Sequence, residues 1–134
     1  GEIDGVTYIN NSKATTLAAV EASLIMAGGG VRLLAGGQLK EHKLDGLKKM
    51  LAQKAKGLYL IGRDARLMAD AWSGAVRCRV FADLAGAFEQ ARKDAKRGEI
   101  VLLAPGCASF DQYRNFEERG GQFVQFVKNI RKEV

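Results

Sequence analysis

VTYINNSKATT, residues 6–16, passes from one periodicity to another in a single short stretch. Val6–Ile9 is a β-like run of branched and aromatic residues. Residues 10–16 hold two amides, a lysine and three hydroxyls, with no large apolar side chain. Leu17, Val20 and Leu24 then fall at helical spacing, which predicts a helix over Ala14–Ala27. Strand, polar turn and helix in that order open a βα unit. Asn11 or Ser12 is the expected N-cap, and Gly28-Gly29-Gly30 the expected stop.

The same alternation runs outward to the end of the chain. Val31–Ala35 reads as a buried strand leading into Gly36-Gly37, which taken alone could be a tight turn. Leu44, Leu47 and Leu51, with Met50 beside them, mark a second amphipathic helix. Leu58–Ile61 is a strand closed by Gly62, and residues 64–72 a shorter helix. Cys78–Phe81 is a strand, and Asp83 caps a helix with the apolar face Leu84, Ala87, Phe88, Ala91 and Ala95. Ile100–Leu103 is the last strand, and Phe123, Phe126, Val127 and Ile130 give the last helix its stripe. This βαβα pattern, with strands that are continuously apolar, predicts a three-layer α/β domain with a mostly parallel sheet of five to six strands. Asp4-Gly5 is a hairpin signal, so a short antiparallel strand is expected ahead of Val6. A domain that opens in mid-hairpin is expected to be part of a longer protein.

Composition narrows the functional classes. The chain has 134 residues, 47% hydrophobic and 27% charged, which suits one globular domain. Its longest apolar runs, such as Val101–Ala104, are too short to span a bilayer, and no secretion signal opens it. Cys78 and Cys107 lack metal-ligand spacing and are expected to be buried, reduced thiols. The net charge is +6, but the basic pairs read as solvated helix faces, with no aromatic interleaving of the kind that stacks nucleic-acid bases. Neither a G-x-G-x-x-G nor a P-loop is present, and no metal cluster or nucleophile triad is visible. His42 reads as a loop residue rather than a catalyst.

In open α/β sheets, ligands bind at the carboxyl ends of the strands, over helix N-termini. Three of those segments are polar here: residues 10–16, Gly36–Lys40 and Ala104–Gln112. They offer two lysines, hydroxyls, amides and backbone N–H groups, a set that suits a dicarboxylate or small dianion. Residues 105–118 mix polar side chains with Phe110, Tyr113 and Phe116 and show no clean helical period, so a long functional loop is expected there.

YINNSKATT (8–16), LLAGGQLK (33–40) and LLAPGCASFDQYRNFEERGGQF (102–123) together resemble the C-terminal domain of the Mur ligases. The Ser-Lys-Ala-Thr pattern at 12–15 is most similar to the D-glutamate-adding branch of that family. The resemblance covers essentially the whole chain. It implies a Rossmann-like domain, with a UDP-binding domain and a central P-loop ATPase lying outside residues 1–134. It implies a cytoplasmic, ATP-dependent ligase of peptidoglycan precursor synthesis, with Mg2+ and ATP held mainly by the central domain. That enzyme adds D-glutamate to UDP-N-acetylmuramoyl-L-alanine through an acyl phosphate; neither nucleic acid nor membrane is an expected partner. By resemblance, Thr15 and Lys40 contact the carboxylates of D-glutamate, and Ser109, Phe110 and Phe116 line its pocket. Asn11 and Lys13 lie near the nucleotide. The family's strand order puts the last strand between the first complete strand and the next. Three positions depart from its usual pattern: Asn11 replaces aspartate, Thr16 asparagine and Gly106 alanine. The other reading is a stand-alone Rossmann-like module that binds an acidic metabolite or a protein.

Overall fold

Hydrophobic runs long enough to be buried on both faces put the strands in the middle of the molecule. The structure, a computed structural model, describes residues 1–41, 43–109 and 112–133. Its strands are β1 (Glu2–Ile3), β2 (Val6–Asn10), β3 (Val31–Gly36), β4 (Ala55–Ile61), β5 (Cys78–Val80) and β6 (Ile100–Leu103). Its helices are α1 (Leu17–Ala27), α2 (Lys48–Lys54), α3 (Ala65–Trp72), α4 (Leu84–Asp94) and α5 (Phe116–Glu133). A short 3-10 turn, Asp45–Leu47, precedes α2.

The strands form one sheet in the order β1-β2-β6-β3-β4-β5. All neighbours are parallel except β1 and β2, which are antiparallel. Asp4 and Gly5 both have positive φ, 53° and 80°, the backbone that a two-residue hairpin needs. β6 lies between β2 and β3, the order that the family resemblance implies. Alternate residues of β3 enter different cores. Val31, Leu33 and Ala35 join Leu24, Leu51, Met68 and Trp72 on the side of α1, α2 and α3. Leu34 joins Tyr8, Phe88, Phe123 and Ile130 on the side of α4 and α5. Phe88 and Phe123 meet edge-to-face at 5.5 Å and fix α4 against α5. No helix among the described residues is long and apolar enough to cross a membrane.

Four expectations change in detail. α1 begins at Leu17, and its cap is Thr16, whose side chain accepts from Ala19 N; Asn11 and Ser12 are engaged elsewhere. β4 starts at Ala55, three residues before its apolar run, because it pairs with β3 from Val31 onward, with a register shift between Val31 and Arg32. The final helix starts at Phe116, inside the stretch expected to be irregular, since its first turn faces the polar loop after β2 rather than the apolar core. Cys107 is buried as expected but Cys78, on the last strand of the sheet, is only half-buried; neither is in a disulfide. The Asp83 cap on α4 is present, accepting from Gly86 N at 2.9 Å.

Gly36 and Gly37 are more than a turn. Their φ values are +118° and +134°, where side chains are disfavoured. A Cβ on Gly36 would stand 2.0 Å from the Ile61 carbonyl oxygen, and one on Gly37 2.3 Å from that of Ala108. Two glycines therefore let the end of β3 run between β4 and the loop after β6. We expect Gly36→Ala to lower unfolding stability by about 3 kcal/mol, through strain and a backbone clash, as read by urea denaturation.

Candidate functional site

The position of β6 between β2 and β3 sets three strand ends side by side, and hydrogen bonds tie their loops together. Asn11 N donates to Leu103 O at 2.8 Å, and Gly106 N to Ala14 O at 2.7 Å. On the other flank Gly36 N donates to Pro105 O at 3.0 Å. Gln38 and Ala108 exchange two backbone hydrogen bonds of 2.9 Å each. The circuit closes where Leu17 N, at the start of α1, donates to a Glu41 carboxylate oxygen at 2.9 Å. That carboxylate and the Thr16 hydroxyl together occupy the helix terminus, where the dipole favours negative charge.

A buried arginine locks two of these loops. Arg119, in the first turns of α5, is 1% exposed. Its Nε donates to Ser12 Oγ at 2.8 Å, Nη2 to Ser12 O at 2.7 Å and Nη1 to Cys107 O at 3.2 Å. Ser12 Oγ in turn donates to Phe116 O at 2.7 Å, a carbonyl in the first turn of α5. Gly120 permits this approach, because a Cβ there would meet Asn10 at 3.0 Å and Ser12 at 3.1 Å. Sequence reasoning did not single out Arg119. The signal was present: it stands between Phe116 and Phe123 at helical spacing, a lone charge on an apolar stripe.

The residues expected to form a site are partly brought together. Ser109 is buried, and its hydroxyl makes no hydrogen bond to any described residue. Lys40 is exposed and Thr15 half-exposed. Their loops are the ones joined by the Gln38–Ala108 and Glu41–Leu17 bonds. Phe116 sits elsewhere, 39% exposed, lining a cavity of about 420 Å³ with Asn11, Lys13 and Glu117. It thus groups with the two nucleotide-proximal candidates rather than with Lys40. Phe110 and His42 lie outside the described residues. Asn11 turns its amide toward α1 and donates to Ser23 Oγ, a bond that an aspartate could only accept. Tyr113 turns to α5, where its hydroxyl donates to Gln122; burial, then the charge of Asp83, pushes its pKa up to about 12.

The Lys40 loop has its own anchor. Asp64, after β4, accepts from Leu39 N at 2.7 Å and pairs with Arg63 at 3.0 Å. The Arg63 guanidinium first, and the Leu39 amide second, hold the Asp64 carboxyl below its usual 3.8. Glu41 and Asp64, like Arg119, were not among the sequence candidates, since a carboxylate near a turn has no distinguishing pattern.

Polar loops gathered at the carboxyl ends of parallel strands occupy the position where open α/β sheets hold their ligands. The model of the family described as "Mur ligase, glutamate ligase domain" matches residues 1–107, and the chain belongs to that family. It is 43% identical over 130 residues to the UDP-N-acetylmuramoylalanine--D-glutamate ligase of Chlamydia caviae, covering 97% of this chain and 31% of that protein. The protein of the same name from Myxococcus xanthus is 42% identical over 128 residues, 96% of this chain and 28% of the relative. The one from Pseudomonas fluorescens is 38% identical over 133 residues, 96% and 30% respectively. The chain spans about a third of the length of the curated relatives it matches.

Two outcomes follow from this geometry. Arg119→Met keeps the apolar stem but removes its three hydrogen bonds to Ser12 and Cys107; stability should fall by about 3 kcal/mol in urea titrations, and Ser12→Ala by about 1 kcal/mol. Asp64 gains its folded-state advantage only when ionised. Its contribution is therefore complete above pH 3.8 and lost as pH falls through its lowered folded value. The Leu39 amide resonance should titrate with a midpoint below 3.8, and Asp64→Asn should abolish that titration.

Proposed function

We propose that this chain is the amino-acid-receiving domain of an ATP-dependent ligase that joins D-glutamate to UDP-N-acetylmuramoyl-L-alanine in the cytoplasm. The observation that carries this reading is the hydrogen-bonded junction of the three loops, with Lys40, Thr15 and the Ser109 hydroxyl, which bonds to no described residue, on its separate walls. The names of the relatives agree with it. In this reading Lys40 pairs with the side-chain carboxylate of D-glutamate, as a point charge. Thr15 contacts a carboxylate oxygen, and Ser109 and Phe110 line the pocket. Phe116, Asn11 and Lys13 face the nucleotide side of the first loop, across the cavity they share.

The chemistry divides between this domain and others. The substrate's terminal carboxylate attacks the γ-phosphorus of ATP, and ADP leaves. The D-glutamate amine then attacks the acyl carbon, gives up a proton, and inorganic phosphate departs with the C–O bond. The role of residues 1–134 is to hold the amine close to that carbon, a positioning role. ATP and Mg2+ belong mainly to a central domain beyond residues 1–134. The chain has no P-loop. Among its described residues no three His, Cys, Asp or Glu side chains cluster to hold a metal ion.

Amide-shift mapping of the isotope-labelled chain with D-glutamate tests the pocket. Saturable shifts should appear at residues 12–17, 36–41 and 104–109, and fade in Lys40→Ala. Shifts confined to other surfaces, or none at millimolar ligand, would remove the assignment. In the full-length ligase, Lys40→Ala should raise KM for D-glutamate by about tenfold or more, the size of a lost charge-assisted contact. An unchanged KM would exclude Lys40 as a ligand.

A further inference from the structure

At the end of the sheet opposite the three loops, charge collects in a way that the order of the sequence conceals. Arg32 near the start of β3, Lys56 near the start of β4, and Arg77 and Arg79 at β5 converge around a cavity of about 280 Å³. Read along the chain, the basic residues look dispersed. The fold unites these four because β3, β4 and β5 are successive neighbours. Tyr59 and Asp94, the last residue of α4, complete the wall.

The acids nearby are already engaged. Glu99 accepts from Arg32 Nε at 3.1 Å and from Lys96 N at 2.9 Å. Asp94 accepts from the Tyr59 hydroxyl at 2.8 Å and from Gln90 at 2.9 Å. Burial opposes charge on both carboxyls, but these hydrogen bonds and the adjacent cations outweigh it and hold both below their ordinary range. Lys56, Arg77 and Arg79 make no side-chain hydrogen bond and no ion pair among the described residues. Arg79 lies over the Phe81 ring, 5.4 Å from its centre, which orients the guanidinium without neutralising it.

The floor of the cavity is Gly57, which contributes no side chain. A Cβ there would stand 3.1 Å from the Tyr59 hydroxyl and 3.4 Å from an Arg32 nitrogen, filling the concavity. Forked and point cations around such a floor suit a ligand with oxygens pointing in several directions. A field of one sign in a concave surface also raises the local concentration of anions. We propose that this concavity is a second binding site, for a small phosphate-bearing molecule with two or more negative charges. It stands apart from the amino-acid pocket and does not depend on that assignment.

The test is an amide-shift titration of the labelled chain with inorganic pyrophosphate, ATP and a single-stranded oligonucleotide, at ionic strength held constant by NaCl. Pyrophosphate should give saturable shifts at Arg32, residues 56–59, Arg77 and Arg79. Arg77→Ala/Arg79→Ala, two exposed positions outside both cores, should weaken binding about tenfold or more while leaving the remaining spectrum in place. Equal affinity for pyrophosphate and ATP assigns the site to a free polyphosphate. Tighter binding of ATP, with added shifts at Phe81, assigns it to the phosphate end of a nucleotide. Shifts reproduced by NaCl alone, shifts only at the three loops, unchanged affinity in the double variant, or tighter and length-dependent oligonucleotide binding would each overturn the proposal.

Discussion

The placement of β6 between β2 and β3 is the constraint from which the rest of the molecule follows. Every residue of Val101–Leu103 is buried, so this strand is stable only at the centre of the sheet. Once there, it carries the segment from Ala104 to Ser109 between the turn after β2 and the glycine pair after β3. Three loops that are far apart in sequence then have no choice but to touch. Their contacts are mostly backbone to backbone, which leaves side chains at the same strand ends free for a ligand.

Touching loops still need their heights fixed, and a single side chain does much of this. Arg119 reaches back from α5 and donates to the carbonyls of Ser12 and Cys107 and to the Ser12 hydroxyl. The glycines serve the same end by subtraction. Gly120 lets the helix come close enough for the guanidinium to reach, and Gly36 and Gly37 let β3 pass beside Ile61 and Ala108. Close packing of backbone against backbone, rather than bulk, shapes this end of the sheet.

Much of this was legible before any coordinates. Continuous apolar strands announced a sheet covered on both faces, and Asp4-Gly5 announced its hairpin. The polar loops could be placed together at one end of the sheet, because strand polarity alone decides where helix N-termini gather. Other features were hidden for identifiable reasons. Thr16 rather than Asn11 caps α1, since Asn11 is claimed by Leu103 and Ser23, two partners distant in sequence. Phe116 was read as part of a loop because the first turn of α5 packs on polar Ser12, which erases the apolar period. The cationic cluster around Gly57 needed the strand order before its members could be seen as neighbours.

The three loops at the carboxyl ends of β2, β3 and β6 are unequally held. Two are bolted to each other by a guanidinium that is 1% exposed and shares its bonds between Ser12 and Cys107. The third, carrying Lys40, hangs between two backbone bonds at Gln38 and two carboxylates, Glu41 and Asp64, that are only partly buried. In mechanical language the domain has a fixed jaw and a moving jaw. In the reading proposed above, a ligand bridging them would work mainly against the softer mounting, and the Lys40 loop would be the part that adjusts its grip.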